Sequence, residues 1–197
     1  MSVVNSIDCT KQKVRAIIAC SRVPEDPYHA EDTLDWLLRL DPDADDALQI
    51  AALGHDIDRA VEERKVNRED FRDYDSFKAA HAKNSAIILK EIMDECNVPP
   101  YVANEVYRLV CCHETGGDPR SDLLKDADSI SYFYTNLPLY YNRNGRERAL
   151  ERSIWGYLRL SPKGRRIVQK IHYPNEELNH VLKVTTRMAS LDGVERS

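Results

Sequence analysis

Basic residues do not dominate this chain. It has 28 Lys and Arg against 33 Asp and Glu, a formal net charge of −5. A protein built to hold a polyanionic macromolecule usually carries a basic balance, so nucleic acid is not expected as a partner. Glycine and proline are scarce, 7 and 9 of 197 residues, which excludes fibrous and low-complexity classes. Long apolar runs are also missing. No stretch reaches the ~18 residues of a membrane span, and Asp8, Lys11, Lys13 and Arg15 interrupt the region where a signal peptide would be apolar. No membrane partner is expected either. Five cysteines, Cys9, Cys20, Cys96, Cys111 and Cys112, form no CxxC and are odd in number. That pattern suits neither a disulfide framework nor a Cys-rich zinc site, and the expected compartment is reduced and cytoplasmic. What remains is a chain with 42% hydrophobic residues, at roughly 150 residues per domain a single domain with a substantial core.

The periodicity is helical nearly everywhere, with no alternating β-branched run long enough for a strand. Helices are expected over Ser6–Val23, Tyr28–Leu40, Ala44–Val61 and Phe77–Cys96. Another starts at Pro99-Pro100 and ends at Gly116-Gly117, and one capped by Ser121 runs to about Asn136, where Pro138 breaks it. Arg146–Leu160 and Glu176–Leu191 complete the set. The stretch Glu62–Tyr74 is polar and rich in both charges, and reads as a mobile excursion. Asp75 or Ser76 is the expected cap of the helix that follows it. The fold class is therefore all-α, with no domain linker.

Four of the six histidines, His29, His55, His81 and His113, each sit on or near the apolar stripe of a separate predicted helix. One such histidine is ordinary core packing; four on successive helices suggest a shared site. The doublet His55-Asp56 interrupts an otherwise apolar segment, and a buried Asp requires a partner, which a metal supplies. A further carboxylate is available in Leu124-Lys125-Asp126-Ala127-Asp128-Ser129. Helix phasing puts Asp128 with Leu124, Ala127 and Ser131 and puts Asp126 with Asp122 and Ser129. Asp128 is thus the inward acid, and Asp126 lies in an outer layer or on the surface.

The order His29, His55-Asp56, His81, His113, Asp128 resembles the HD-domain superfamily of metal-dependent phosphohydrolases, in the variant with two extra histidines between the doublet and the last Asp. His113-Glu114-Thr115-Gly116 followed by Ala127-Asp128-Ser129-Ile130 resembles the small HD proteins that hydrolyse symmetrical dinucleoside tetraphosphates, although substrate is not carried over with it. The resemblance covers about Tyr28 to Tyr134, leaving residues 135–197 as a C-terminal helical extension of a single HD-like domain. It implies an HD-type helical bundle with additional C-terminal helices. It also implies a metal held by His29, His55, Asp56 and Asp128, and a second one reached by Asp56 and held by His81 and His113. Imidazole plus carboxylate suits one or two divalent transition metals, Fe, Mn, Co or Ni.

Around this set, Arg59 lies one turn beyond the doublet and reads as a phosphate clamp or as the ion-pair partner of Glu62 or Glu63. Asp58 is a candidate general acid or base, or a solvated carboxylate. Lys125 and Thr115 are candidates for touching substrate, against readings as a surface lysine and a helix-terminal turn residue. His172 and His180 read as surface, and the tyrosines at 132, 134, 140 and 141 as packing or as a wall for a nucleobase. The expected function is hydrolysis of a small phosphate ester or anhydride, a nucleotide among the candidates. The alternatives are an HD-type di-iron oxygenase and a non-catalytic metal-bound sensor or scaffold.

Overall fold

The computed structural model describes residues 3–195, with side chains placed for residues 3–190. Among them there is no strand, and the fold is an all-α helical bundle. In order come α1 (Val3–Ile18), α2 (Asp26–Leu40), α3 (Asp46–Gly54), α4 (Tyr74–Glu95), α5 (Pro100–Cys112), α6 (Pro119–Ser131), α7 (Leu137–Arg159), α8 (Pro162–Val168) and α9 (Glu176–Glu195). Short 3₁₀ turns occupy Ile57–Ala60 and Arg68–Asp70, and a π turn occupies Tyr132–Asn136. No helix among the described residues is long and apolar enough to cross a membrane.

The short α3 is the axis. Ala47, Leu48, Ile50, Ala51, Ala52 and Leu53 are all buried, and a helix apolar on every side belongs in the middle of a fold. Accordingly α1, α2, α5 and α6 pack around it, while α4 lies along α5 and α2 along α6. The Asp45 carboxylate caps α3 by accepting the Leu48 N–H at 3.1 Å. At the other end Gly54 allows close approach to α4: a Cβ there would meet Leu89 Cδ2 at 2.5 Å. Leu89 is fully buried and has little room to retreat. Gly54→Val is therefore expected to destabilise by about 1–3 kcal/mol, the usual cost of overpacking, measurable by urea unfolding. A loss below a few tenths would show that Leu89 moves freely.

Several boundaries differ from the sequence reading. The helix expected over Ala44–Val61 ends at Gly54, and Asp56 leaves it at φ −105°, ψ 15° before the 3₁₀ turn. Asp residues at 56 and 58 favour turns over a helix interior, and the amides of Arg59 and Val61 bond back to the Asp56 and Asp58 carbonyls, both at 3.1 Å. The Glu62–Tyr74 excursion is a pinned loop: Val66 N–H donates to Asp58 Oδ2 at 3.3 Å, and Asn84 Nδ2 donates to the Arg64 carbonyl at 2.7 Å. The caps of α4 and α6 are Asp73 and Asp118, not Asp75, Ser76 or Ser121. Pro138 does not terminate a helix; it lies in the first turn of α7, where its missing N–H costs nothing. The break comes at Gly145, in the left-handed region at φ 78°, so the second part of α7 matches the expected Arg146 helix. The helix α8 was not foreseen.

The C-terminal helices brace this core. The helix α9 packs on α7, and the Tyr173 hydroxyl donates to the Phe133 carbonyl in the π turn at 2.6 Å. Cys9 and Cys96 are joined by a disulfide between α1 and the end of α4. One bridge is no framework, but it removes a ground for expecting a reduced compartment.

Candidate metal centre

Each of the four central histidines is fixed through its Nδ1. His55 and His113 donate from Nδ1 to the carbonyls of Ala52 and Val110, at 2.9 and 2.7 Å, one turn back at the ends of α3 and α5. His81 Nδ1, from α4, lies 2.6 Å from Asp58 Oδ1. His29 Nδ1, from α2, lies 2.9 Å from the Ser131 hydroxyl on α6. A ring whose Nδ1 donates to a carbonyl carries its free lone pair at Nε2, the arrangement by which a second partner orients a metal-binding imidazole.

All four Nε2 atoms turn towards Asp56. On one side, Asp56 Oδ2 lies 4.0 Å from His29 Nε2 and 3.8 Å from His55 Nε2. Asp128 Oδ1 closes the same group at 3.2 Å from His29 Nε2 and 3.5 Å from His55 Nε2. The two imidazole nitrogens are 3.3 Å apart. On the other side, Asp56 Oδ1 lies 2.7 Å from His81 Nε2 and 3.9 Å from His113 Nε2. Lone pairs and carboxylate oxygens thus converge in a buried volume, where they repel unless cations lie between them. The groups His29, His55, Asp56 and Asp56, His81, His113, Glu114 each bring ligand atoms close enough to hold a metal ion. His113 Nε2 is buried, 3.1 Å from Glu114 Oε1 and 3.9 Å from Asp56 Oδ1, and makes no hydrogen bond of good geometry, a position between two carboxylates that suits a metal ligand. The residues fit the group that the resemblance implies.

Without metal, protons must serve as the cations. Burial opposes charge on His55, but Asp56 and Asp128 outweigh it and raise its pKa from 6.5 to about 9. Burial likewise opposes ionisation of Asp56 and Asp128, yet His55 and Arg59 beside the first, and Arg159 with His29 and His55 beside the second, hold both well below the usual carboxylate range. A raised histidine contributes stability below its unfolded value near 6.5, and that contribution is lost as pH rises through about 9. Metal-stripped protein should therefore melt lower at about pH 10 than at pH 7, with His55 alone contributing up to roughly 3 kcal/mol. Calorimetry in the presence of a chelator checks this; a flat profile would mean that His55 carries no proton.

The remaining candidates divide. Asp58 is buried and holds His81 Nδ1, so it orients the His81 ring and is not solvated. Arg59 does not pair with Glu62 or Glu63. Its guanidinium donates to Asp56 Oδ2 at 2.7 Å and pairs with Asp26 Oδ1 at 2.9 Å. Lys125 and Thr115 are not at the site: Lys125 Nζ bonds Asp122 Oδ1 at 2.8 Å and the Thr115 carbonyl at 3.3 Å, on the outer side of the α5–α6 turn. The inward phase of α6 is taken by Asp128, which leaves Lys125 facing the turn. Asp126, expected on a solvated face, is buried and accepts the Ser161 N–H at 2.7 Å and the Ser161 hydroxyl. His172 and His180 are exposed, as expected.

Four charged residues escaped the sequence reading. Glu114 is buried between Lys78 and Arg159, with Arg159 Nη2 at 3.2 Å from both Glu114 Oε2 and Asp128 Oδ2. Arg152 stands near them on α7, with its guanidinium 4.3 Å from the Trp155 ring centroid. The signal was available: Arg152, Trp155 and Arg159 recur at i, i+3, i+7, one face of a helix. It lay outside the segment that carries the resemblance.

A cleft of about 370 Å³ opens beside the second histidine pair, lined by His81 together with Arg59, Lys65, Arg68, Lys78 and Arg152. Its one acidic lining residue, Glu25, is paired with Arg143. The rings of Tyr74, Phe77, Tyr132 and Tyr140 complete the wall. Of the expected aromatic run, Tyr132 and Tyr140 therefore line the cleft, while Phe133 is core and Tyr134 stacks on Trp36, 4.9 Å between centroids. No curated protein and no solved structure matches the chain. A protein-family model described as "Domain of unknown function (DUF4202)" matches residues 2–181.

Proposed function

The chain belongs to the DUF4202 family, and from its site we propose that it is a metal-dependent phosphohydrolase of the HD type, acting on a small phosphate ester or anhydride. The observation that carries this reading is the division of Asp56. One carboxylate oxygen faces His29 and His55 and the other faces His81 and His113, as a carboxylate shared by two ions would. Mn, Fe, Co and Ni suit such a donor set. When bound, two such ions act as Lewis acids that activate water and clamp phosphoryl oxygens.

The chain's own residues do the positioning. Arg59 holds Asp56 from the cleft side, leaving guanidinium N–H groups for an equatorial phosphoryl oxygen. Asp58 fixes the His81 ring. Five lining cations attract and orient an anionic substrate, and the volume of the cleft suits a small molecule better than a macromolecule.

The test is phosphate release from a panel of nucleotides and phosphomonoesters, under anaerobic conditions, with Mn or Co. Turnover is expected with either ion, since Lewis-acid chemistry needs no oxygen. Arg59→Ala should lower it by roughly 10²–10³-fold, the cost of one transition-state donor. Oxygen uptake on iron loading, with no phosphate released from any panel member, would replace the phosphohydrolase with an oxygenase.

A further inference from the structure

The cleft holds more positive charge than one phosphoryl group beside the metal centre requires. Three of its cations already have carboxylate partners. Arg59 pairs with Asp56 and Asp26, Lys78 with Glu114, and Lys65 with Glu62. Arg152 and Arg68 differ. Arg152 Nη1 donates to the Tyr74 hydroxyl at 3.1 Å, and its guanidinium lies against two rings, 4.3 Å from the Trp155 centroid and 5.3 Å from that of Tyr132. Arg68 donates to the Phe71 carbonyl at 2.7 Å and lies 6.0 Å from the Tyr74 centroid. Neither forms an ion pair with a described carboxylate. Glu114 and Asp128 act on Arg152 from beyond its contacts, and Asp73 acts likewise on Arg68.

A half-buried guanidinium without a counter-ion is costly, and two ring faces fix its direction without neutralising it. Both guanidiniums converge on Tyr74, and Tyr74, Lys78 and His81 share one face of α4 at i, i+4, i+7. Seven residues along a helix rise by roughly 10 Å. The wall thus offers two anion positions, one beside the candidate metal centre at His81, where Arg59 also lines the cleft, and one at Tyr74.

We propose that the substrate carries a second anionic group, a phosphate or a carboxylate, seated on Arg152 and Arg68 within roughly 10 Å of the reacting phosphoryl group. This rests on the phosphohydrolase reading and adds the substrate class: a small molecule with two separated anions. Arg152 and Arg68 select the substrate and do not touch the reacting atoms.

Non-hydrolysable phosphonates test it by calorimetric binding to the full chain loaded with Mn. Hexane-1,6-bisphosphonate should bind at least roughly 10-fold tighter than hexylphosphonate, the contribution of one charge-assisted contact. 6-Phosphonohexanoate decides between the two sources: affinity equal to the bisphosphonate identifies a carboxylate-tolerant position, and affinity near hexylphosphonate a phosphate-selective one, either result supporting the second position once the bisphosphonate advantage is present. Arg152→Gln should erase that advantage, weakening the bisphosphonate by roughly 10–100-fold and hexylphosphonate by less than about 2-fold, with metal content unchanged. Arg68→Gln, on an exposed turn, should do the same more weakly, and serves if Arg152→Gln fails to fold. Equal binding of the mono- and bisphosphonate by wild type, or equal weakening of both by the variants, overturns this inference alone. No binding of any phosphonate by the metal-loaded protein overturns the phosphohydrolase reading with it.

Discussion

Asp128→Ala will empty the first metal position while Asp126→Ala leaves it loaded, although the two acids are two residues apart on one helix. Asp128 Oδ1 lies 3.2 and 3.5 Å from the Nε2 atoms of His29 and His55. Its removal should cost more than the roughly 10–100-fold in metal affinity usual for an outer partner, and activity should fall with it. Asp126 points the other way and bonds the backbone and hydroxyl of Ser161 at the start of α8. Replacing it leaves those donors unsatisfied and should cost about 1–3 kcal/mol of stability. Metal content by mass spectrometry and urea unfolding, measured on both variants, separate the roles. Equal metal loss in the two would mean that α6 is rotated from the orientation described here.

Glu114→Ala should be among the most destabilising single changes in the chain. Glu114 is buried against Lys78 and Arg159. Burial works against its ionisation, but Lys78, His113 and Arg159 hold it well below the usual carboxylate range. Removing it leaves Lys78 without its carboxylate and Arg159 with Asp128 alone, a loss of about 3–5 kcal/mol, or roughly 6–20 °C in Tm for a chain of this size. Glu114 belongs to the second candidate ligand group, but Lys78 and Arg159 already engage its carboxylate, and the folded variant is expected to keep its metal on Asp56, His81 and His113. Adding Lys78→Met should recover part of the stability. A loss below about 1 kcal/mol would show that solvent screens the trio; a lost metal ion with little destabilisation would make Glu114 a ligand.

The candidate cluster is legible in the sequence because its residues come from helices whose phase can be read. His29 lies on the inner stripe of α2, His81 on that of α4, and Asp128 on that of α6 beside Leu124 and Ala127. The helix expected to run on to Val61 ends at Gly54, and His55 and Asp56 diverge where the chain turns. Asp58 and Arg59 fall on that expected stretch of helix; with the chain turned instead, Asp58 is buried against His81 and Arg59 pairs with Asp56 and Asp26, not with Glu62 or Glu63. Lys125 and Thr115 were judged by distance in sequence from the ligands, which does not reveal that they bond each other across a turn. The cations Lys78, Arg152 and Arg159 reach the site only through tertiary packing between α4, α5 and α7, and no local period joins Arg159 to Asp128 across 31 positions. The disulfide between Cys9 and Cys96 was equally hidden, since 87 positions separate the two.

A carboxylate shared between two metal positions makes the number of retained ions depend on Asp56 above all other residues of the cluster, and elemental analysis reads that number. Wild-type protein, purified without chelator under anaerobic conditions and reconstituted with Mn or Co, should retain up to two ions per chain. His81→Ala should retain one and Asp56→Ala none, because Asp56 reaches both histidine pairs. A reconstituted wild type that holds no ion, or an Asp56→Ala variant that holds as many as wild type, would mean that Asp56 is not shared by two metal positions.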